Sequence, residues 1–318
     1  MQYWQKRRAY RRLPRLRSFP KGSKEPAMTS IVGYKAGMTS VVMMEEGPKP
    51  TEASRACTII EVHTIEVYGI RLYKKDKSTG YRHTSAEIYD KGVAQRIGIK
   101  KMTKATDGAN AAKHDINAYS DVSLLMVANP KGIATGQHHP DRFEVQISGH
   151  SLADKFNYAQ KLLGKEVKPA DVFKNGEHID VISVSTGKGW AGVIKRFGVT
   201  RLPHKSTQKV RHVGTLGAFG FGRVGFGVPQ SGQMGFNYRT EHNKRVIRVG
   251  KKEDTQLINP KSGFPNYGNV VSDFIIVDGS IPGPAKRLVR VRKTIDNRDS
   301  KGIKDVKVNY IASTGKAM

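Results

Sequence analysis

Short apolar runs separated by glycine, proline or polar turns fill the chain from residue 28 to residue 89. Runs of this length that are rich in valine, isoleucine, threonine and tyrosine are typical of β-strands, and frequent turns between them are typical of all-β folds. The pattern therefore predicts an antiparallel barrel or sandwich. The predicted strands are 29–35, 39–45, 55–62, 67–73 and 85–89.

Strands are also predicted in the rest of the chain. Residues 179–185 alternate apolar and polar side chains, which predicts a strand with one buried face. Further strands are predicted at 122–127, 246–249, 270–277 and 288–295. In the last of these we expect Val289 and Val291 to face inward, because side chains alternate along a strand. Arg290 and Arg292 should then face outward.

One helix is predicted from about 152 to 163, where apolar residues recur near helical spacing. Ser151 and Asp154 have the form of a capping box at its start, and Gly164 ends it. Residues 91–121 are polar and carry no pattern from which an element can be predicted.

These elements predict a mainly β protein with some α structure. A basic N-terminal arm at 1–27 precedes the strands, and a long basic internal loop at about 197–245 leaves the β-scaffold and returns to it.

Positive charge is concentrated in two of these parts. The chain has 55 basic and 27 acidic residues, a net charge of +28. The first 24 residues contribute +9, and residues 187–252 contribute 14 − 1 = +13. Charge needed only for solubility would be spread over every face, so this placement indicates a nucleic-acid-binding surface. No apolar run approaches the roughly 20 residues that span a bilayer, and we expect no membrane partner.

The basic loop is also rich in glycine, with twelve glycines in 187–235. A loop of this length is either disordered or ordered by a partner outside the chain. Its aromatic rings can stack on unpaired bases for about 1 to 3 kcal/mol each. We expect Trp190 and Phe197, near the end of a predicted strand, to pack into the scaffold. Phe219 and Phe221 should contact RNA, since glycine and alanine dominate their surroundings.

The candidate RNA-binding residues share a basic, imidazole or aromatic side chain and lie in the arm, in the loop or at its ends. They are Arg7, Arg8, Arg11, Arg12, Arg15, Arg17, Lys188, Lys195, Arg196, Arg201, His204, Lys205, Lys209, Arg211, His212, Phe219, Phe221, Arg223, Arg239, His242, Lys244 and Arg245.

Enzyme-like patterns in the loop lack their required context. Residues 220–225 match the glycine fingerprint of dinucleotide-binding folds, but Gly227 and Pro229 prevent a following helix. Residues 185–189 lack the full spacing of a phosphate-binding loop. No nucleophile, base and orienting acid form a constellation, so we expect no enzyme, cofactor, metal or small-molecule substrate. Cys57 is the single cysteine, which excludes an internal disulfide and suits a reducing cytoplasm.

Four segments occur in the order of the motifs of a known family. They are Gly-Tyr-Lys-Ala-Gly-Met-Thr at 33–39, Gly-Lys-Gly-Trp-Ala-Gly-Val-Ile-Lys-Arg at 187–196, Gly-Gln-Met-Gly at 232–235 and Ile-Pro-Gly-Pro at 281–284. Over roughly residues 15–310 the chain resembles the L3 family of large-subunit ribosomal proteins. The long inserted region and the arginine-rich start resemble its archaeal and eukaryotic branch.

The resemblance implies a translation-protein-type β-barrel with an inserted α/β lobe, and a structural role in the large ribosomal subunit of the cytoplasmic ribosome. The expected segments are then the first part of the barrel at 28–90, the inserted lobe at 91–175 and the remainder of the barrel at 176–318, which contains the basic loop. It implies binding and clamping of 23S-type ribosomal RNA, contacts with neighbouring ribosomal proteins, early subunit assembly, and a loop that reaches toward the peptidyl transferase centre. The stretch 202–219 corresponds to that loop. Phe219 stands where eukaryotic relatives have tryptophan, and Thr207 where they have histidine. The alternative is a free-standing RNA- or DNA-binding architectural protein.

Overall fold

The computed structural model describes residues 7–20, 25–45, 51–98, 105–107, 116–206, 209–218, 220, 222–296, 306–312 and 316–317. This part of the chain is mainly β-strand with short helices, which confirms the predicted fold class.

The strands and helices follow one another along the chain. The strands are β1 (Ala27–Met28), β2 (Ser30–Glu45), β3 (Thr51–Val62), β4 (Ile65–Lys75), β5 (Arg82–Tyr89), β6 (Ala105–Asp107), β7 (Asp121–Ala128), β8 (Asp141–Ser148), β9 (Glu166–Val167), β10 (His178–Val184), β11 (Trp190–Ala191), β12 (Gly232–Gln233), β13 (Tyr238–Gly250), β14 (Asp273–Asp278), β15 (Leu288–Lys293), β16 (Val308–Ile311) and β17 (Lys316–Ala317). The α-helices are α1 (Lys91–Arg96), α2 (Leu152–Leu162) and α3 (Val193–Phe197), and short 3-10 helices occupy Ile116–Ala118, Pro169–Asp171 and Lys252–Leu257.

Six antiparallel strands form a closed barrel. Their order is β15-β10-β13-β14-β3-β2, and β2 pairs with β15 to complete the ring, while β16 and β17 extend from β2. Ile31 lies opposite Val291 in the closing pair, and both side chains are fully buried. Closure leaves the six strands without a free edge, so their main-chain groups are paired within the ring.

The second sheet has the order β1-β8-β7-β4-β5-β6, and β9 also pairs with β4. Helix α2 packs on β7, whose residues are all buried. Side-chain hydrogen bonds tie this sheet to the barrel. Among them, Thr29 Oγ1 donates to the Gln146 carbonyl at 2.6 Å, and the Tyr34 hydroxyl donates to Asp141 Oδ2 at 2.8 Å. One continuous apolar cluster contains buried residues of both the barrel and the second sheet.

Strand pairing differs from the expected segments at two places. The first barrel segment was expected at 28–90, but β4 and β5 belong to the second sheet, because the chain changes sheet after Val62. The loop was expected to end near 245, but β13 already begins at Tyr238. Alternation of side chains indicates which face of a strand is buried, and it carries no information on which sheet the strand joins. The division into an arm, a barrel and an inserted lobe stays a prediction.

The predicted strands 29–35 and 39–45 form the single strand β2. The ladder with β3 shifts register between Lys35 and Gly37, which marks a β-bulge. A Cβ at Gly37 would lie 2.5 Å from the ring of Phe264, so this glycine permits close packing and does not end the strand. Helix α2 confirms the predicted helix, although Ser151 at its N-cap makes no side-chain capping hydrogen bond.

Arg290 and Arg292 face outward from the barrel, as predicted, but they do not reach solvent. The two residues are 4% and 3% exposed. The N-terminal arm, residues 7–20, crosses the outer face of β15 and covers them, with main-chain carbonyls of Pro14 and Ser18 accepting their hydrogen bonds. The alternation of side chains within β15 does not reveal that a segment about 270 residues earlier in the chain covers the outer face of the strand.

Candidate nucleic-acid interface

The N-terminal arm is attached along the start of β13. The main-chain amide of Ala9 donates to the Phe236 carbonyl at 2.7 Å. The Tyr238 hydroxyl accepts from the Arg11 amide at 3.0 Å and donates to the Arg11 carbonyl at 2.9 Å. The arm therefore lies directly beside the point where the basic loop returns to the barrel.

Within the arm, apolar and basic side chains face opposite ways. Ala9 and Leu16 are each 8% exposed and face the barrel, and Leu13 packs on the same core. The arginines face solvent, so the arm presents a row of cations on the surface of the barrel. The exposed arginines are Arg7, Arg8, Arg11, Arg12, Arg15 and Arg17.

Beneath the arm, the two covered arginines are held differently. Arg292 donates to Asp180 Oδ2 at 2.8 Å and to the Ser18 carbonyl at 2.6 Å. Arg290 donates to the carbonyls of Pro14 and Glu144, and burial lowers its pKa to about 10. Arg290 thus links the arm, the barrel and the second sheet through hydrogen bonds to main-chain oxygens.

Two of the predicted RNA-binding residues on strand β13 lie beside carboxylates. His242 Nδ1 lies 3.2 Å from Asp180 Oδ2, and Lys244 Nζ lies 3.8 Å from Glu241 Oε2. Arg239 is exposed, whereas the side chain of Arg245 is half-buried. The predicted phosphate contact of His242 therefore competes with a fully buried carboxylate of the barrel.

A short hairpin forms the base of the loop. Strands β11 and β12 pair, and the Lys188 amide donates to the Met234 carbonyl at 3.0 Å. Arg196 donates to the carbonyls of Gln233 and Gln230 at 3.1 and 2.7 Å, respectively. Arg196, predicted to bind phosphate, thus fastens the two sides of the hairpin, while Lys188 and Lys195 are exposed.

The outer loop, residues 198–231, projects from this base with few main-chain hydrogen bonds among its described residues. The Leu202 amide donates to the Val210 carbonyl at 3.1 Å, and the described residues after 222 form turns and bends where a dinucleotide-binding fold has a helix. Phe219, Phe221 and Thr207 lie outside the described residues. The exposed candidates of the outer loop are Arg201, His204, Lys205, Lys209, Arg211, His212 and Arg223.

Two aromatic side chains near the loop base behave differently from each other. Phe197 is 6% exposed, as predicted, and lies under the Arg196 guanidinium at 4.9 Å from its ring centroid. Trp190 was expected to be buried as well, but it is 79% exposed. The sequence signal that could have found it is the presence of glycines at 189 and 192, which have no side chains to cover the ring. In the structure, a Cβ added at either position would meet nothing within 4 Å.

The electrostatics of the outer loop are one-sided, because its sequence contains no aspartate or glutamate. In the described part of the chain, no group of three or more His, Cys, Asp or Glu residues is placed to hold a metal ion. Within these same residues, no helix is long and apolar enough to cross a membrane. The interface is therefore a cationic surface with exposed aromatic rings, suited to phosphates and unpaired bases.

Comparison with known proteins gives one family. The family model described as Ribosomal protein L3 matches residues 1–317. The large ribosomal subunit protein uL3 of Methanocorpusculum labreanum is 37% identical over 328 residues, covering 99% of this chain and 96% of the relative. The uL3 of Methanothermobacter thermautotrophicus is 35% identical, with 98% and 94% covered, and that of Methanopyrus kandleri is 36% identical, with 91% and 82% covered.

These relatives are archaeal and match nearly the whole chain, in agreement with the branch that the motifs indicated. The expected absence of an enzymatic role follows from the family, whose members are structural parts of the ribosome. The chain therefore belongs to the ribosomal protein L3 family and is a structural, non-enzymatic protein of the large ribosomal subunit.

Proposed function

We propose that the protein binds and clamps 23S-type ribosomal RNA with two cationic surfaces, the N-terminal arm and the outer loop. The observation that carries this proposal is their junction. The Ala9 amide bonds to the Phe236 carbonyl at 2.7 Å, and Asn237 Nδ2 bonds to the Arg7 carbonyl at 2.7 Å, so both surfaces diverge from one fixed point. RNA segments that contact the two surfaces are thereby held at a defined separation.

Recognition in this proposal rests on shape and charge. The edges of bases in an RNA duplex lie in a deep, narrow groove, so side chains contact phosphates and 2′-hydroxyls there and read bases where they are unpaired. The exposed arginines and lysines bind phosphate, while Trp190 and Phe226, which are 79% and 85% exposed, stack on unpaired bases.

We further propose that the outer loop extends toward the peptidyl transferase centre and that the protein acts early in assembly of the cytoplasmic large subunit. The support is the match of the loop segments to the family and the absence of carboxylates from the outer loop sequence, which suits it to an interior made of RNA. A protein that fixes two RNA segments relative to each other lowers the entropy cost of later folding steps, which favours an early role.

The test is a salt titration of the purified protein on a large-subunit RNA transcript and on a random RNA duplex of equal length. Binding to the transcript should be tighter at moderate salt, and the logarithm of the affinity should fall by roughly 0.7 to 0.9 per phosphate contact for each tenfold rise in salt. Equal affinity for both RNAs would reject a specific site, and a preference for duplex DNA would favour a free-standing DNA architectural protein.

A cellular measurement tests the assembly role. Cells that carry a chain with Lys205→Gln, Lys209→Gln and Arg211→Gln should accumulate incomplete large subunits, because the outer loop would lose three phosphate ligands. The control is Lys74→Gln, Lys75→Gln and Lys77→Gln on the hairpin of the second sheet, which removes equal charge elsewhere. Normal sucrose-gradient profiles for both variants would contradict an assembly role of the loop.

A further inference from the structure

A second cationic feature lies outside the outer loop. The N-terminal arm, the segment 135–141 that leads into β8, and the turn 284–288 before β15 enclose a groove of about 1200 Å³. Small-molecule pockets typically have volumes of about 300 to 1,000 Å³, so this groove is large enough for part of a polymer. Neither the segment nor the turn was among the predicted RNA-binding residues.

The turn that forms one wall is held rigidly. Lys35 Nζ donates to the carbonyls of Ile281 and Gly283 at 2.7 and 2.9 Å. On the main chain, the Lys286 amide donates to the Lys35 carbonyl at 2.8 Å, and the Lys35 amide donates to the Arg287 carbonyl at 3.0 Å. The main chain that carries Lys286 and Arg287 is therefore fixed by the barrel before any ligand arrives.

Gly283 makes this arrangement possible. Its φ is +98°, and a Cβ there would lie 3.0 Å from the Val184 carbonyl oxygen and 2.8 Å from Arg287 Cγ. A side chain at this position would push Arg287 away from the barrel.

The opposite wall contains Asp141, the one carboxylate among the described residues that line the groove. Asp141 Oδ2 accepts from the Tyr34 hydroxyl at 2.8 Å and from Gln137 Nε2 at 2.9 Å, and Gln137 Nε2 also donates to the His139 carbonyl at 2.8 Å. Asp141 thus fixes the segment 135–141 to the barrel by hydrogen bonds to neutral donors.

Four cations share the groove with that carboxylate. They are Arg8, Arg12, Lys286 and Arg287. The guanidinium groups of Arg8 and Arg287 both lie over the ring of Phe236, at 5.1 and 5.2 Å from its centroid. Burial and the nearby charge of Arg12 lower the pKa of Arg287. Crowded cations of this kind gain most from a ligand that carries several negative charges.

The groove also offers an aromatic face. Tyr10 lines it and is 92% exposed, although its neighbour Ala9 is buried. An exposed ring beside guanidinium groups is the arrangement that binds single-stranded nucleic acids, with bases stacked on the ring and phosphates on the cations. An acidic peptide would satisfy the cations and leave the ring without a stacking partner.

We propose that this groove binds an unpaired segment of RNA, with phosphates on Arg12, Lys286 and Arg287 and a base on Tyr10. This inference rests on the proposed function. It adds a binding site that forms only where the N-terminal arm, the segment 135–141 and the turn 284–288 come together. Because Arg8, Tyr10 and Arg12 belong to the arm, the site exists only when the arm is docked on the barrel.

The test measures where RNA lies. In the full-length protein, Tyr10→4-benzoylphenylalanine places a photoreactive group in the groove, and the probe is a radiolabelled transcript of an archaeal large-subunit RNA. We expect cross-linking to the transcript. Adding Arg12→Gln and Lys286→Asn should remove about two phosphate contacts, which weakens binding about 25- to 60-fold at 0.1 M salt and lowers the salt slope by about 1.4 to 1.8.

Matched variants separate this site from the outer loop. Lys205→Gln with Lys209→Gln removes equal charge from the loop and should leave the cross-link yield per bound protein unchanged, whereas Arg12→Gln with Lys286→Asn should reduce it at least fivefold. Lys286 has φ +66°, a conformation that asparagine adopts readily. The variant with Arg12→Gln and Lys286→Asn should therefore keep the wild-type melting temperature.

Two results would overturn the groove while leaving the proposed function intact. One is a transcript that binds specifically but cross-links equally well with and without Arg12→Gln and Lys286→Asn. The other is cross-linking from position 10 to large-subunit proteins and not to the transcript when both are supplied in the same reaction. Failure of the proposed function would look different, since the unsubstituted protein would then show no preference for the transcript over random duplex.

Discussion

Asp180 and Arg292 form an ion pair that is closed off from solvent, with side-chain exposures of 0% and 4%. Asp180 also accepts from the Asn243 amide at 3.1 Å. Replacing Asp180 by Asn should destabilise the protein by about 3 to 5 kcal/mol, because Arg292 would remain buried without its counter-charge. Chemical denaturation followed by far-ultraviolet circular dichroism measures this loss.

The matched control for that substitution is Asp254→Asn. Asp254 accepts from Arg248 at 3.2 Å, and both side chains are partly exposed, so the change should cost only about 0 to 1 kcal/mol. Similar losses in the two variants would show that burial does not distinguish the two pairs.

Cys57 provides a probe of barrel opening. Its side chain is fully buried on β3, and burial followed by the charge of Asp278 raises the pKa of the thiol to about 12. We expect the native protein to resist Ellman's reagent at pH 8, where about one thiol in ten thousand is ionised. In denaturant, one thiol per chain should react. Rapid stoichiometric labelling of the native protein would contradict the burial of β3, and Cys57→Ser supplies the blank.

Among the elements, the hairpin of β11 and β12 depends on a close main-chain approach. Gly235 has φ +70°, and a Cβ there would lie 2.1 Å from the Thr186 carbonyl oxygen. Gly235→Ala should therefore loosen the loop base and raise the exchange rates of the Lys188 and Met234 amides, which cross-link the hairpin. Hydrogen exchange read by NMR or mass spectrometry measures this effect.

Gly192 is the control for this substitution, since it has a φ of −69° and nothing within 4 Å of an added Cβ. Gly192→Ala should leave both amides protected. Equal protection of these amides from exchange in Gly235→Ala and Gly192→Ala would contradict the steric role of Gly235.

At the scale of elements, hydrophobic periodicity predicted most strands and the helix α2, because each of these has one face against the core. Periodicity failed to predict the surroundings of residues that are packed against a segment distant in the sequence. Arg290 was placed on the correct face of β15, yet the arm that buries it could not be deduced from that strand. Gly37 resembled a turn because nothing in the local sequence indicates the ring of Phe264 packed against it.

For the whole molecule, the few main-chain hydrogen bonds among the described residues of the outer loop predict weak protection in the free protein. Amides at 209–218 and 222–230 should exchange within seconds, while those of β10 and β14 persist, because exchange follows local opening. Adding the large-subunit RNA transcript should slow exchange in the loop. Strong protection there without RNA would contradict a loop that is ordered by its partner.

Composition located both cationic segments of the candidate site, since a surplus of arginine and lysine is visible without a structure. It did not predict that they meet at Phe236, nor that Arg196 and His242 are engaged by the fold. The groove beside the arm was missed for the same reason. Its walls come from segments near residues 10, 138 and 286, which only the closed barrel brings together.

The pairing of β2 with β15 also determines when the surface can exist during synthesis. The arm is translated before β15, and the Ser18 carbonyl can accept its hydrogen bond only after Arg292, 274 residues later, has been added. While the intervening residues are translated the cationic arm is undocked, so the nascent polypeptide acquires its mature RNA-facing geometry only once β15 has been made.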